Sequence, residues 1–183
     1  MIQEYHNDTE EKKLYGSLIY LRPLQISDKE KFYRWATCSD ATPFWYGELY
    51  RNTIPDPGTF FVDWDDAYFT GPIMQHKRGF VICISETDTE IGEINYQSEE
   101  IDGTQYFDLD IIIASDMHKG KGFGTEALII LTGYLRSCFP AIVFSLYALC
   151  ENLRAIQSYR KAGFSSKETF KDDNGLNWML LVK

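Results

Sequence analysis

At 183 residues and 44% hydrophobic, the chain is long enough to bury a sizeable core, and one domain over 1–183 is expected, with 1–15 as a loosely ordered N-terminal extension. Its 27 acidic against 18 basic residues leave a net charge of -9, which argues against nucleic acid as a partner and suits a cationic one, although acidity also serves solubility. The opening "MIQEYHNDTEEKK" is polar and no apolar run approaches the ~20 residues of a bilayer span, so a cytoplasmic protein with no membrane partner is expected.

In chain order, "SLIYLRPL" reads as a strand, and Ser27 with Glu30 as a capping box opening a helix through "DKEKFYRWAT". Residues 39–76 mix aromatics, acids and prolines, which predicts loops and short helices able to close over a pocket. The runs "RGFVICIS", "EIGEINYQ" and "QYFDLDIIIA", separated by turn signals, predict an antiparallel meander. Ala127, Leu128, Leu131, Tyr134, Leu135 and Cys138 recur at helical spacing and predict a helix over about 124–139, stopped by Pro140. "AIVFSLYALC" reads as a buried strand, "ENLRAIQSYRKAG" as a helix closed by Gly163, and "FSSKETF" and "WMLLVK" as the last strands; the class is mixed α/β. Cys38, Cys83, Cys138 and Cys150 form no CxxC pair and read as reduced core residues. His6 and His76 have no partner at metal-ligand spacing, so no metal is expected; His118 reads as a lone surface histidine or as a neighbour of the loop that follows it.

That loop, "KGKGFGTEAL", sits between a strand and a helix. Glycines remove the side chains that keep a ligand off the backbone, so N–H groups over about 121–125 can face an anion with the positive helix end behind them. A phosphate or pyrophosphate fits such a loop, while Gly120, Gly122 and Thr125 miss the spacing of the two common nucleotide loops. The helix "ENLRAIQSYRKAGF" carries Ala155, Ile156 and Tyr159 on one side and, taken alone, reads equally as a packing helix.

Together, in this order and with a strand between them, "KGKGFG" and "NLRAIQSYRKAGF" resemble the GCN5-related N-acetyltransferases (GNAT), over most of the chain from Leu18 onward. The strings look especially like the branch containing the aminoglycoside 6'-N-acetyltransferases and the ribosomal-protein N-terminal acetyltransferases. The resemblance implies a mostly antiparallel central sheet splayed in its middle and flanked by helices, with acetyl-coenzyme A as co-substrate. The family loop Gln/Arg-x-x-Gly-x-Gly/Ala matches with Gly122 and Gly124, and Lys119 stands where Gln or Arg is usual, keeping the charge without the planar donor group. The cofactor-binding set implied is Lys119, Gly120, Lys121, Gly122, Phe123, Gly124, Thr125 and Asn152, with Tyr159 near the coenzyme sulfur and Ile111, Ile112 and Ile113 as candidates for the oxyanion N–H.

Asp110, ten residues before Gly120, stands where the aminoglycoside branch has its catalytic aspartate, and with Tyr159 it makes the implied catalytic pair. Asp108 shares its face by strand alternation, and the two could hold an ammonium. Trp45, Tyr46 and Glu48 in "FWYGELY" could cup a cation, with Phe44 better placed in the core; Asp172 and Asp173 form a solvated turn unless it overhangs the acceptor. The expected acceptor is the primary amine of an aminoglycoside-like polycation. A protein N-terminal α-amine and a non-catalytic coenzyme A-binding module are the alternatives, in a monomer or homodimer.

Overall fold

The computed structural model describes residues 12–45, 54–73, 76–101, 104–173 and 175–183. Eight strands form one sheet in the order β1-β2-β3-β4-β5-β6-β8-β7: β1 (Leu14–Tyr15), β2 (Ile19–Pro23), β3 (Lys77–Ile84), β4 (Glu90–Ile101), β5 (Thr104–Ile113), β6 (Val143–Leu149), β7 (Ser165–Lys171) and β8 (Asn177–Val182). Every neighbouring pair is antiparallel except β5 and β6. The predicted meander is β3–β4–β5. Leu14 is buried and pairs with Leu21, so the ordered sheet begins inside the segment expected to be a loose extension.

Strand alternation sends side chains to two cores. On one face, α4 (Phe123–Cys138) and α5 (Leu153–Lys161) bury Ala127, Leu128, Leu131, Leu135, Ile156 and Tyr159 against Leu21, Ile82, Ile94, Leu109 and Phe144. On the other, α1 (Lys29–Thr37) and α3 (Pro57–Asp63) pack Phe32, Ala36 and Phe60 with Tyr68 and Phe69 against Tyr20, Val81, Cys83 and Ile112. Between those two helices lies the single turn α2 (Thr42–Trp45). Gly92 permits the close approach of β4 to β5, because an added Cβ would stand 1.9 Å from the Ile112 carbonyl oxygen.

The start of α1 differs from the expected Ser27–Glu30 capping box. A 3₁₀ turn, Ile26–Asp28, precedes the helix, and it is Asp28 that accepts the Gln25 N–H at 2.9 Å. Asp28 is drawn inward by Arg22, whose guanidinium donates to both its oxygens at 2.7 and 2.9 Å and also to Glu90. A buried carboxylate needs such a partner, so the ion pair decides where the helix begins. The cysteines also divide: all four are free, but only Cys83 is buried, and Cys38 is exposed.

Candidate active site

The site begins where the sheet divides. β5 pairs with β6 from Tyr106↔Val143 to Leu109↔Leu146 and then stops, while β6 runs on along β8 and β5 runs on along β4. The gap opens into a cavity of about 1160 Å³, lined on one wall by Asp110, Ile111 and Ile113 and on the other by Tyr147 and Ala148. The splay expected from the family resemblance is this divergence. Because Ala114 N donates to Ile91 O at 2.9 Å, ladder alternation turns the Ile112 N–H to β4 and the Ile111 and Ile113 N–H groups to the gap. The Ile112 side chain is buried in the second core. Of the three isoleucines expected to offer an oxyanion donor, Ile112 is thus excluded.

The glycine loop forms one end of the cavity. Gly120 and Gly122 have φ of +77° and +90°, conformations that L side chains rarely adopt, and Gly122 is the N-cap of α4. The first intrahelical bond runs from Glu126 N to Gly122 O at 2.9 Å, so the N–H groups of Phe123, Gly124 and Thr125 have no partner within the helix. Gly120, Gly122, Phe123, Gly124 and Thr125 line the cavity. Lys121, expected among the cofactor contacts, is exposed and does not line the cavity. Lys119 lines it with its ammonium tied to Asp116 at 2.9 Å, and Asp116 also receives Arg154 at 3.3 Å.

A second wall, beside the loop, comes from helix α5. Asn152 caps it, accepting the Ala155 N–H at 3.2 Å, and lines the cavity. Ser158 joins the two helices through a 2.8 Å bond with Thr125 Oγ1. Tyr159 is only 8% exposed, lines the cavity, and its hydroxyl meets no hydrogen-bond partner among the described residues. Burial first, and the negative charge of Asp110 second, raise its pKa far above the ordinary phenol value, so it is a donor throughout the neutral range.

Asp108 and Asp110 both line the cavity from β5. Asp108 lies across from Ser145 on β6, which donates to its Oδ1 at 2.7 Å. Burial, then the charge of Asp110, push the Asp108 carboxyl up to about 7, against the stabilising Ser145 bond. Behind them Glu93 is 0% exposed and receives the Asn95 amide at 3.1 and 3.3 Å; burial raises its pKa well above the carboxylate range.

The other expected contacts fall out differently. Asp172 accepts the Leu176 N–H at 2.8 Å and the Trp178 indole at 3.0 Å, so its carboxylate closes the β7–β8 turn and fixes Trp178. Trp178 lines the cavity and Asp172 does not. Phe44, assigned to the core from sequence, is 40% exposed and lines the cavity too. Trp45 ends α2, and its side chain, like Tyr46 and Glu48, lies outside the described residues. Sequence reading missed Ser145, Tyr147, Arg154 and Glu126. The last accepts three backbone N–H groups, from Ser17, Leu18 and Ile19, at 2.8–2.9 Å, and so moors β2 to the first turn of α4. An acid in a first helical turn was its one visible signal. Among the described residues no group of three His, Cys, Asp or Glu could hold a metal, and no helix is long and apolar enough to cross a membrane.

Known proteins share both the sequence pattern and the architecture. The chain is 34% identical over 89 residues to the uncharacterized N-acetyltransferase YobR of Bacillus subtilis, 49% of this chain but only a third (33%) of that protein. It is 28% identical over 150 residues to the spermidine N(1)-acetyltransferase of Escherichia coli, covering 80% of this chain and 73% of the relative. Among solved structures, spermidine N-acetyltransferase from Vibrio cholerae in complex with CoA and spermine superposes with a TM-score of 0.71 at 19% identity, over 92% of this chain and 96% of its own. AAC(6')-Ib in complex with ribostamycin and coenzyme A gives 0.71 at 22%, over 91% and 93%. At these identities the superpositions speak for the fold. The acetyltransferase (GNAT) domain family matches residues 19–165, and with most of its length inside that match the chain is a member of the GNAT acetyltransferases.

Proposed function

We propose that the chain moves an acetyl group from acetyl-coenzyme A to a primary amine of a small polycation. The observation that carries this reading is the divided sheet, which puts a glycine-lined helix N-terminus, the buried hydroxyl of Tyr159 and the carboxylate of Asp110 around one cavity. The residues fit the co-substrate: N–H groups with no partner within α4 suit a pyrophosphate, and positive φ at Gly120 and Gly122 favours glycine, which leaves the backbone at those two positions open to a ligand.

In this reading Asp110 takes the proton from the incoming ammonium, freeing the nitrogen lone pair to attack the thioester carbonyl. The Ile111 or Ile113 N–H, turned to the gap, stabilises the negative oxygen that develops. As the C–N bond forms and the C–S bond breaks, the Tyr159 hydroxyl donates a hydrogen bond to the departing sulfur, and the second proton shed by the nitrogen ends on that sulfur, giving the amide and the free thiol. A thiol with an ordinary pKa of about 8.5 is a modest leaving group near neutrality, so this donor helps without being indispensable. Asp108 adds negative charge to the acceptor side, which supports a cationic amine. AAC(6')-Ib with ribostamycin and the spermidine acetyltransferases are neighbours of this kind.

Thiol release from acetyl-coenzyme A, followed with an aminoglycoside, a polyamine and an N-terminal peptide as acceptors, tests it. Release is expected with the first two. Release only with the peptide moves the acceptor to a protein α-amine, and coenzyme A binding with no release for any amine marks a binding module.

A further inference from the structure

Asp108 is not needed by the acetyl transfer just described, yet its carboxylate is held in place from the neighbouring strand. Its Oδ1 is fixed by Ser145 at 2.7 Å, and Tyr147, two residues on along β6, lines the cavity, its phenol pKa raised by burial first and then by the charges of Asp108, Glu99 and Glu168. The register places Asn95 opposite Asp110 and Gln97 opposite Asp108, so the carboxylates occupy adjacent rows on one face. They are two residue steps apart, roughly 6.7 Å along β5. An extended chain advances roughly 1.2 Å per bond, so amines three or four carbons apart are separated by roughly 5–6 Å. Tyr159, 92% buried, lines the same cavity, senses the charge of Asp110, and has a hydroxyl met by no partner among the described residues.

Building on the acetyltransferase reading, we propose that Asp108 selects acceptors that carry a second ammonium three or four carbons from the reacting amine. Asp110 meets the amine to be acetylated, and Asp108, backed by the face of Tyr147, meets the second charge. A lone ammonium held at Asp110 leaves Asp108 without a counterion, and a spacing of eight carbons carries the second charge past it. The groups facing Asp108 agree with a site that waits for a cation: Asp110 on its own strand, Glu99 on β4, the Tyr147 and Ser145 hydroxyls on β6, and Tyr68 from the 3₁₀ turn Asp66–Tyr68. None of these is cationic. With its carboxyl held at about 7, Asp108 becomes a full anion only above neutrality, so the advantage of a diamine grows as pH rises through 7.

A linear polyamine and an aminoglycoside both offer this spacing, and the test separates them. Acceptor kcat/KM is measured for butylamine, 1,3-diaminopropane, 1,4-diaminobutane, 1,8-diaminooctane and a 6'-amino aminoglycoside, with wild type and Asp108→Asn. The two short diamines should exceed butylamine and diaminooctane by roughly 10- to 100-fold, the size of one charge-assisted contact, and Asp108→Asn should bring the ratios within about threefold. Equal use of butylamine and diaminobutane, or a preference that survives Asp108→Asn, overturns the proposal while leaving the acetyltransferase intact. If only the aminoglycoside reacts, the diamine is ring-borne, and a loss of less than threefold on it in Asp108→Asn overturns the assignment. If no amine reacts, the transferase reading fails. Calorimetry of 1,4-diaminobutane on the coenzyme A-loaded protein then decides, with binding that Asp108→Asn abolishes in favour and no binding against.

Discussion

Replacing Gly122 by alanine places a side chain at a φ of +90°, where the Cβ of an L residue meets its own carbonyl. Nothing else resists it, since the nearest side-chain atom, Leu18 Cδ1, would be 3.6 Å away, an ordinary contact. The cost is therefore backbone strain of about 1–2 kcal/mol. It has two outlets. If the loop keeps its shape, stability falls by that amount; if it relaxes toward negative φ, the N–H groups at the start of α4 turn from the anion, and coenzyme A affinity falls roughly 5- to 30-fold for the same energy. Gly133→Ala is the control, because it lies in the same helix off the cavity wall, its φ is not positive and its methyl would meet nothing within 4 Å. It should hold affinity within about twofold and raise stability by about 0.5–1 kcal/mol, as Gly to Ala does within a helix. Calorimetric titration with coenzyme A and urea melts on both variants read the two quantities. Unchanged stability together with unchanged affinity in Gly122→Ala would refute the reasoning.

Tyr159→Phe should lower kcat more than it weakens coenzyme A binding, since the hydroxyl matters as negative charge grows on sulfur; equal losses in both would mark a packing residue. Asp110→Asn keeps the size and removes the base, so turnover should drop roughly 10²-fold or more with little change in coenzyme A affinity, and full activity would leave Asp110 structural. Asp28→Ala strands Arg22 beside Glu90 alone and should cost about 3 kcal/mol in urea melts, the low end for a broken buried pair because Glu90 remains. Burial alone would raise the Asp28 and Glu90 carboxyls, yet their basic partners hold both below the ordinary range. Their contribution is therefore full above the unfolded carboxylate pKa of about 4 and is lost as pH falls through the lower folded values. Wild type should lose more stability than Asp28→Ala between pH 7 and pH 3, and parallel losses would count against the linkage.

Local signals in the chain carried the helices and the loop. Helical periodicity put α4 within a residue of its ends, Gly163 stopped α5 at a φ of +95°, and the glycines of "KGKGFG" marked the loop that leads into α4. Alternation alone was enough to pair Asp108 with Asp110. What escaped were relations between distant segments. Ser145 is an ordinary serine in an apolar run until parallel pairing brings it opposite Asp108, and Glu126 is an ordinary helix acid until the turn before β2 presents three N–H groups to it. Asp172 was misjudged for the same reason, because its carboxylate is taken up by Trp178 across a hairpin. Ser27 and Glu30 had the right spacing for a capping box, but spacing carries no information about Arg22, whose charge draws Asp28 inward instead.

The most direct test of the central claim is a crystal structure with coenzyme A and a diamine bound. The account predicts the pyrophosphate on the N–H groups of residues 121–125, the sulfur within hydrogen-bond reach of the Tyr159 hydroxyl, and an amine nitrogen against Asp110 in the gap between β5 and β6. Coenzyme A bound away from the start of α4, or a sulfur remote from Tyr159 with that gap closed, would contradict it.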